Sequence, residues 1–191
     1  MSADEARRFA AEHAHYTEDL AFWRAAAARL GSPVLDLGAA VGRVAIPLAR
    51  DGAEVWTVDR SPAMVAEIRR RAAAEPAPVA ERLHAGVGEL QAFSLAPRFR
   101  LVLVAMNTLQ VLTEPGDRAA CLARGRTHLA AEGEFIFDVA LPDGDGFDVI
   151  AALRHDDVVP EALIVYSAFD LDANARERLR LGPTEFVTKG Q

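Results

Sequence analysis

Apolar and polar positions change period repeatedly along this chain. Short apolar runs at Val34–Leu37, Glu54–Val58, Arg82–Ala85, Arg100–Ala105 and Glu134–Val139 are bounded by glycine, proline or charge and read as strands. Helical patterns lie between them, over Arg43–Arg50, Ser61–Ala74 and Asp117–Ala130. Ser61 followed by Pro62 is a helix start: a hydroxyl cap, then a residue whose fixed φ suits the first turn. Before the first strand, Ala3 to Leu30 carries a broken apolar stripe through Phe9, Leu20, Phe22, Trp23 and Leu30 and predicts a long helical segment. Arg100–Ala105 is apolar at nearly every position, as a strand covered on both faces should be.

Strand and helix alternating at this rhythm indicate parallel crossover units. Right-handed crossovers give an α/β fold: a doubly wound, Rossmann-like, mostly parallel sheet with helices on both faces. The last fifty residues break the rhythm. Leu163–Leu171 and Glu177–Val187 read as two strands joined through Asp172–Ala175, a connection short enough to predict an antiparallel hairpin. The chain therefore divides into a helical segment at 1–30, an α/β core at 31–142 and a hairpin region at 143–191. If the hairpin leaves a sheet edge uncovered, two chains would pair through it as a homodimer.

Length and composition place this pattern in one domain. The 191 residues are 51% apolar and 26% charged, enough for a full core. Apolar stretches stop well short of the ~18 residues a membrane span needs. The acidic N-terminus lacks the pattern of a secretory signal. With 21 basic against 28 acidic residues the net charge is −7. Asp143 to Asp172 holds eight acidic residues and one basic one, so neither nucleic acid nor membrane is expected as a partner. The single cysteine, Cys121, excludes an internal disulfide and a multi-cysteine metal site, and its apolar neighbours suggest core packing. His84, His128 and His155 have no partner at metal-ligand spacing, so no metal is expected. These features point to the cytoplasm. The excess of arginine over lysine and the abundant alanine match GC-rich bacterial coding.

Open parallel sheets bind ligands beyond the carboxyl ends of their strands, near the point where strand order reverses. After the first strand comes Asp36-Leu37-Gly38-Ala39-Ala40-Val41-Gly42-Arg43. Gly38 and Gly42 allow a tight turn and a close approach of backbone to ligand. A dinucleotide fingerprint would want glycine at 40 and a small residue at 43, so Ala40 and Arg43 argue against a nicotinamide or flavin site. The plainer reading is a strand-to-helix turn with no ligand. Asp59, at the end of the second strand, is placed to accept both hydroxyl hydrogens of a ribose. Glu89, after the third strand, is either an acceptor for an exocyclic amine or a surface glutamate.

Taken in order, these segments resemble the class I S-adenosylmethionine-dependent methyltransferases, in their small-molecule branch. Val34–Arg43 and Val55–Met64 look like the first two motifs. Phe99–Leu112, with Asn107-Thr108-Leu109-Gln110, is similar to the segment after the fourth strand, and His128–Gly133 to the stretch that introduces the fifth. The resemblance covers roughly residues 13 to 142. It implies S-adenosyl-L-methionine as cofactor, with Asp36, Gly38, Ala40 and Gly42 around its methionine part. By the same resemblance Asp59 holds the ribose, and Met64 or Arg60 borders the adenine. Glu89 and Leu90 meet the adenine edge, Ala105 and Asn107 lie under the sulfonium, and Tyr16 closes a lid.

Ala40-Val41-Gly42 departs from the family's Gly-Thr-Gly, and Ala131-Glu132-Gly133 from its Pro-Gly-Gly. At the C-terminal end, either the hairpin completes the sheet or part of the substrate-binding half is missing. Methyl transfer needs the acceptor ~3 Å from the activated carbon and aligned with it, so a base is optional. Weak candidates for one are His13, His15 and Asn107. Asn107 is followed by Thr108-Leu109 and not by the Pro-Pro-aromatic run of nucleic-acid amino methyltransferases, which favours a small-molecule acceptor. Two alternatives stand beside this reading: a relative that binds the cofactor without methylating, as a cyclase-like catalyst or accessory subunit, and a nicotinamide-dependent oxidoreductase.

Overall fold

The computed structural model describes residues 1–114, 116–138, 150, 154, 163–167, 172–180 and 184–188. Helix α1 (Ala3–Glu12) starts at a capping box, in which the Ser2 hydroxyl accepts from the Glu5 N–H and Glu5 accepts from the Ser2 N–H. The chain then leaves the helical path, and α2 (Leu20–Leu30) follows. The single helix expected over Ala3–Leu30 is thus two, and packing explains the break. Ala6 of α1 packs in a cluster with Val41 and Met64, whereas Trp23, Ala26, Ala27 and Leu30 of α2 pack on the sheet. A continuous rod of that length, about 40 Å, could not lay both stripes on one small domain.

Strands β1 (Val34–Leu37), β2 (Val55–Asp59), β3 (Leu83–Val87), β4 (Phe99–Val104) and β5 (Leu129–Phe137) form one sheet in the order β3-β2-β1-β4-β5. All four pairings are parallel. Helices α3 (Ala45–Arg50), α4 (Pro62–Ala72), α5 (Ala77–Ala80), α6 (Thr108–Val111) and α7 (Asp117–Thr127) make the connections. Val34, Val55, Leu101 and Leu103 pack toward α2 and α3; Leu35, Val102 and Val104 pack in the cluster holding Cys121 and Leu122 of α7. Burial on both faces is why the central strands are mostly apolar. Strand order reverses between β1 and β4, which sets the crevice of the fold there.

β5 begins earlier than its apolar run suggests. The expected helix to Ala130 stops at Thr127, where the buried His128 ring engages the Arg124 carbonyl through Nδ1 and accepts from the Leu95 N–H at Nε2. Register shifts between Phe99 and Leu101 of β4, and Glu132 takes φ 60° inside the irregularity. Val139, the expected end of this strand, lies outside the described residues.

The antiparallel hairpin is corrected. β6 (Leu163–Ser167) and β7 (Thr184–Thr188) pair in parallel, Leu163 with Thr184 through Ser167 with Thr188. Between them runs helix α8 (Ala173–Leu179), so Asp172, read as a turn residue, is a helix cap: its carboxylate accepts from the Ala175 N–H at 2.7 Å. Parallel strands need a crossover connection, and the segment containing α8 supplies it. Residues 168–171 of the expected hairpin lie outside the described residues, and the self-association argued from a hairpin edge loses its premise. Among the described residues no helix is long and apolar enough to cross a membrane.

Candidate functional site

At the carboxyl ends of β1 and β4, two loops face each other across the crevice, and both bend through left-handed backbone. Gly38, Ala40 and Gly42 have φ of 74°, 48° and 78°; Met106 and Asn107, after β4, have 55° and 58°. For residues with a Cβ such a conformation costs about 1–2 kcal/mol each. Ala40, Met106 and Asn107 therefore need support from their surroundings, and such strain gathers at functional sites.

Asp59 supports the first loop. It stands at the tip of β2, and its carboxylate accepts from the Ala40 N–H at 2.9 Å and from the Ser61 N–H at 2.8 Å. One amide on each oxygen leaves each a further lone pair. Gly38 is explained by its neighbour across the crevice: a Cβ there would overlap Thr108 Cγ2. At Gly42 a Cβ would meet Ile46 at 3.2 Å. Close packing of protein on protein thus requires a small residue at 38 before any ligand is considered.

Asp36 lies on β1 with 2% exposure. It accepts from the Ala45 N–H, but its Oδ2 is buried without a partner, as is the Thr57 hydroxyl at the paired position of β2. Burial raises the Asp36 pKa to about 7, against the pull of nearby Arg43. Two cations hold this turn: Arg71 donates to the Val41 carbonyl at 2.6 Å, and Arg43 follows Gly42. The Arg43 guanidinium forks onto Asp19 at 2.5 and 2.7 Å, donates to the Tyr16 carbonyl and lies 4.9 Å over the Tyr16 ring. Asp19 also accepts from the Trp23 indole at 2.9 Å. The segment between α1 and α2 is thereby fastened over the glycine turn, with Tyr16 37% exposed. The Tyr16 phenol is raised by burial and by Asp19.

The structure brings together Tyr16, Asp36, Gly38, Ala40, Gly42, Asp59, Ala105 and Asn107. Leu90 is buried after β3 and Glu89 beside it is exposed. Met64 is enclosed with Ala6 and Val41 and packs against Ala40 from below, and Arg60 is exposed. Of the candidate bases, His13 is held by its own helix, with Nδ1 2.9 Å from the Phe9 carbonyl and its ring stacked on Phe9. His15 is exposed. The His13 carbonyl accepts from the Tyr16 N–H at 3.2 Å, a backbone contact that leaves the His13 imidazole on α1.

Asp138 was missed by the sequence reading, which placed it inside the fifth strand. β5 ends at Phe137, so Asp138 stands at the strand tip. Its carboxylate accepts from the Met106 and Asn107 N–H groups at 2.9 and 2.6 Å. Burial raises its pKa, while those two amides pull it back. With the strand expected to run to Val139, a search beyond its end would have passed over Asp138.

Comparison with known proteins agrees with this geometry. A family model described as a methyltransferase domain matches residues 34–133, just over half of the chain, and the chain belongs to that family. Among solved structures, a glycopeptide N-methyltransferase, MtfA, bound to sinefungin is 32% identical, covering 66% of this chain and 51% of its own, with a TM-score of 0.60. The CcbJ methyltransferase from Streptomyces caelestis is also 32% identical, covering 63% of this chain and 48% of its own, at 0.58. A TehB-like methyltransferase from Corynebacterium glutamicum, at 18% identity, shares the fold over 81% of both chains, at 0.63. The chain spans about half the length of the first two. No curated protein matches its sequence.

Proposed function

We propose that this chain binds S-adenosyl-L-methionine and transfers its methyl group to a small-molecule acceptor of bacterial secondary metabolism, in the cytoplasm. The observation that carries the reading is the pair of left-handed loops at the strand-order reversal, with Asp59 tied into one of them and still able to accept two more hydrogen bonds. The residues present fit the cofactor. Asp59 suits the ribose hydroxyls, the 38–42 backbone and the unpartnered Asp36 oxygen suit the methionine end, and Leu90 with Glu89 suits the adenine. MtfA has been solved with S-adenosylmethionine and with S-adenosylhomocysteine. The buried, single cysteine accords with a reducing compartment.

S-adenosylmethionine, when bound, supplies a methyl carbon already activated by sulfonium. What remains for the protein is placement. Ala105 and Asn107 floor the crevice, and Tyr16, held by Arg43, roofs it. The N-methyltransferase activity named for MtfA favours an amine-bearing acceptor. An amine acceptor needs no dedicated base once deprotonated, consistent with histidines that stand apart.

Calorimetric titration with S-adenosylmethionine, S-adenosylhomocysteine and NADH tests the reading, followed by transfer of labelled methyl to amine-bearing glycopeptides and aminosugars. Heat from the first two ligands and a labelled product support it. Binding without transfer to any acceptor supports the non-methylating relative. Heat from NADH alone returns the chain to the oxidoreductases and overturns the proposal.

A further inference from the structure

Asp138 meets the turn after β4 through a defined register. Its own N–H donates to the Val104 carbonyl at 3.1 Å, carrying the β4–β5 ladder one step beyond both strands. That step delivers the carboxylate to the start of the turn after β4. There its two oxygens take two successive amides, Met106 on Oδ2 and Asn107 on Oδ1. Both residues carry side chains and both are left-handed, so the turn lasts only where something holds it. An ionised carboxylate is suited to this, because both its oxygens accept and neither donates.

The turn leads straight into Thr108. The Thr108 hydroxyl donates to the Ala105 carbonyl at 2.7 Å, and its methyl fills the space that Gly38 leaves open. A change at Asp138 is therefore passed through 106–108 to the glycine loop of β1, on the far side of the crevice. The charged or titratable groups facing Asp138 are Asp19, Arg43 and Tyr16.

We propose that Asp138 is a positioning residue for the cofactor site: its carboxylate clamps the 106–107 turn and so sets the width and shape of the crevice between the loops after β1 and β4. The inference rests on the methyltransferase reading, since it names the site being shaped. No reacting atom is assigned to Asp138.

The test compares Asp138→Asn, Asp138→Glu and, as a control, His128→Ala, which unbalances a buried ring elsewhere in the core. Each full-length variant is titrated with S-adenosylmethionine well below its melting temperature. Amide hydrogen exchange at Met106 and Asn107 is measured without ligand. Asparagine turns one acceptor into a donor facing an N–H, so Asp138→Asn should expose both amides to exchange and weaken S-adenosylmethionine binding roughly tenfold to a hundredfold, as small misplacements in such sites do. Asp138→Glu should recover part of the loss, and His128→Ala should bind as wild type does.

Wild-type exchange at 106 and 107 in Asp138→Asn overturns the clamp. Faster exchange with wild-type affinity overturns its bearing on the cofactor, and an equal loss in His128→Ala reduces it to general stability. If Asp138→Asn does not fold, Asp138→Ser, which lacks the second acceptor oxygen, is read on the same two measurements, and wild-type behaviour in it overturns the proposal. A wild-type protein that takes no S-adenosylmethionine overturns the methyltransferase reading instead, and the exchange result still decides whether the clamp exists.

Discussion

Gly38→Ala is the most exacting perturbation the crevice offers. The new Cβ would overlap Thr108 Cγ2 and sit 3.1 Å from Oγ1 and 3.2 Å from Cβ, where comfortable carbon contacts lie near ~3.5–4 Å. It would also force alanine to φ 74°. The left-handed backbone costs about 1–2 kcal/mol. Overpacking adds about 1–3 kcal/mol, because Thr108 is anchored through its hydroxyl and cannot rotate away freely. The total, about 2–5 kcal/mol, is a large part of the ~5–15 kcal/mol that holds a domain together. Thr108→Ser separates the two contributions: it removes the overlapping methyl and keeps the hydroxyl. In a double-mutant cycle read by urea unfolding, Gly38→Ala should cost less by at least about 1 kcal/mol when Thr108→Ser is already present. Equal cost in both backgrounds would refute the contact and leave only the backbone penalty.

Two further predictions follow from charge. The Asp36 pKa, raised by burial to about 7, exceeds its unfolded value, so the folded state holds this proton longer and Asp36 makes stability fall as pH rises from about 4 to 7, with no further change above. Asp36→Asn keeps an acceptor for the Ala45 N–H and should flatten that fall; urea midpoints between pH 5 and 8 check it, and an unchanged slope would count against the assignment. Asp19→Ala removes the partner of a mostly buried Arg43 and of the Trp23 indole, and should cost about 2–3 kcal/mol after discounting for partial exposure. Limited proteolysis between α1 and α2 and the Trp23 fluorescence report it, and wild-type cleavage rates would show that the fork fastens nothing.

The parallel core was readable because its strands are apolar where both faces are covered and its helices carry caps, as at Ser61–Pro62. The position of Asp59 and of the turn at 38–42 at strand ends was readable from the same strand pattern. What the sequence concealed depends on contacts between distant segments. Nothing local in His13–Asp19 announces a break, because the break serves two packing surfaces that meet only in the fold. Asp172 has the same composition in a turn or a helix cap, and only the helix after it decides. Asp138 looked like strand interior because the irregularity at Glu132–Gly133 displaces the strand's end. Arg43, noted only as a residue too large for a dinucleotide turn, proves to be the bolt of the N-terminal segment.

The rim of left-handed residues bears on how fast a ligand can be taken up. Its dihedral angles are set when the chain folds, so little ordering is left for the moment of encounter, and capture should be governed by diffusion into the crevice. The segment bearing Tyr16 is the exception, since it is held through side-chain contacts to Arg43 and can yield without disturbing that rim.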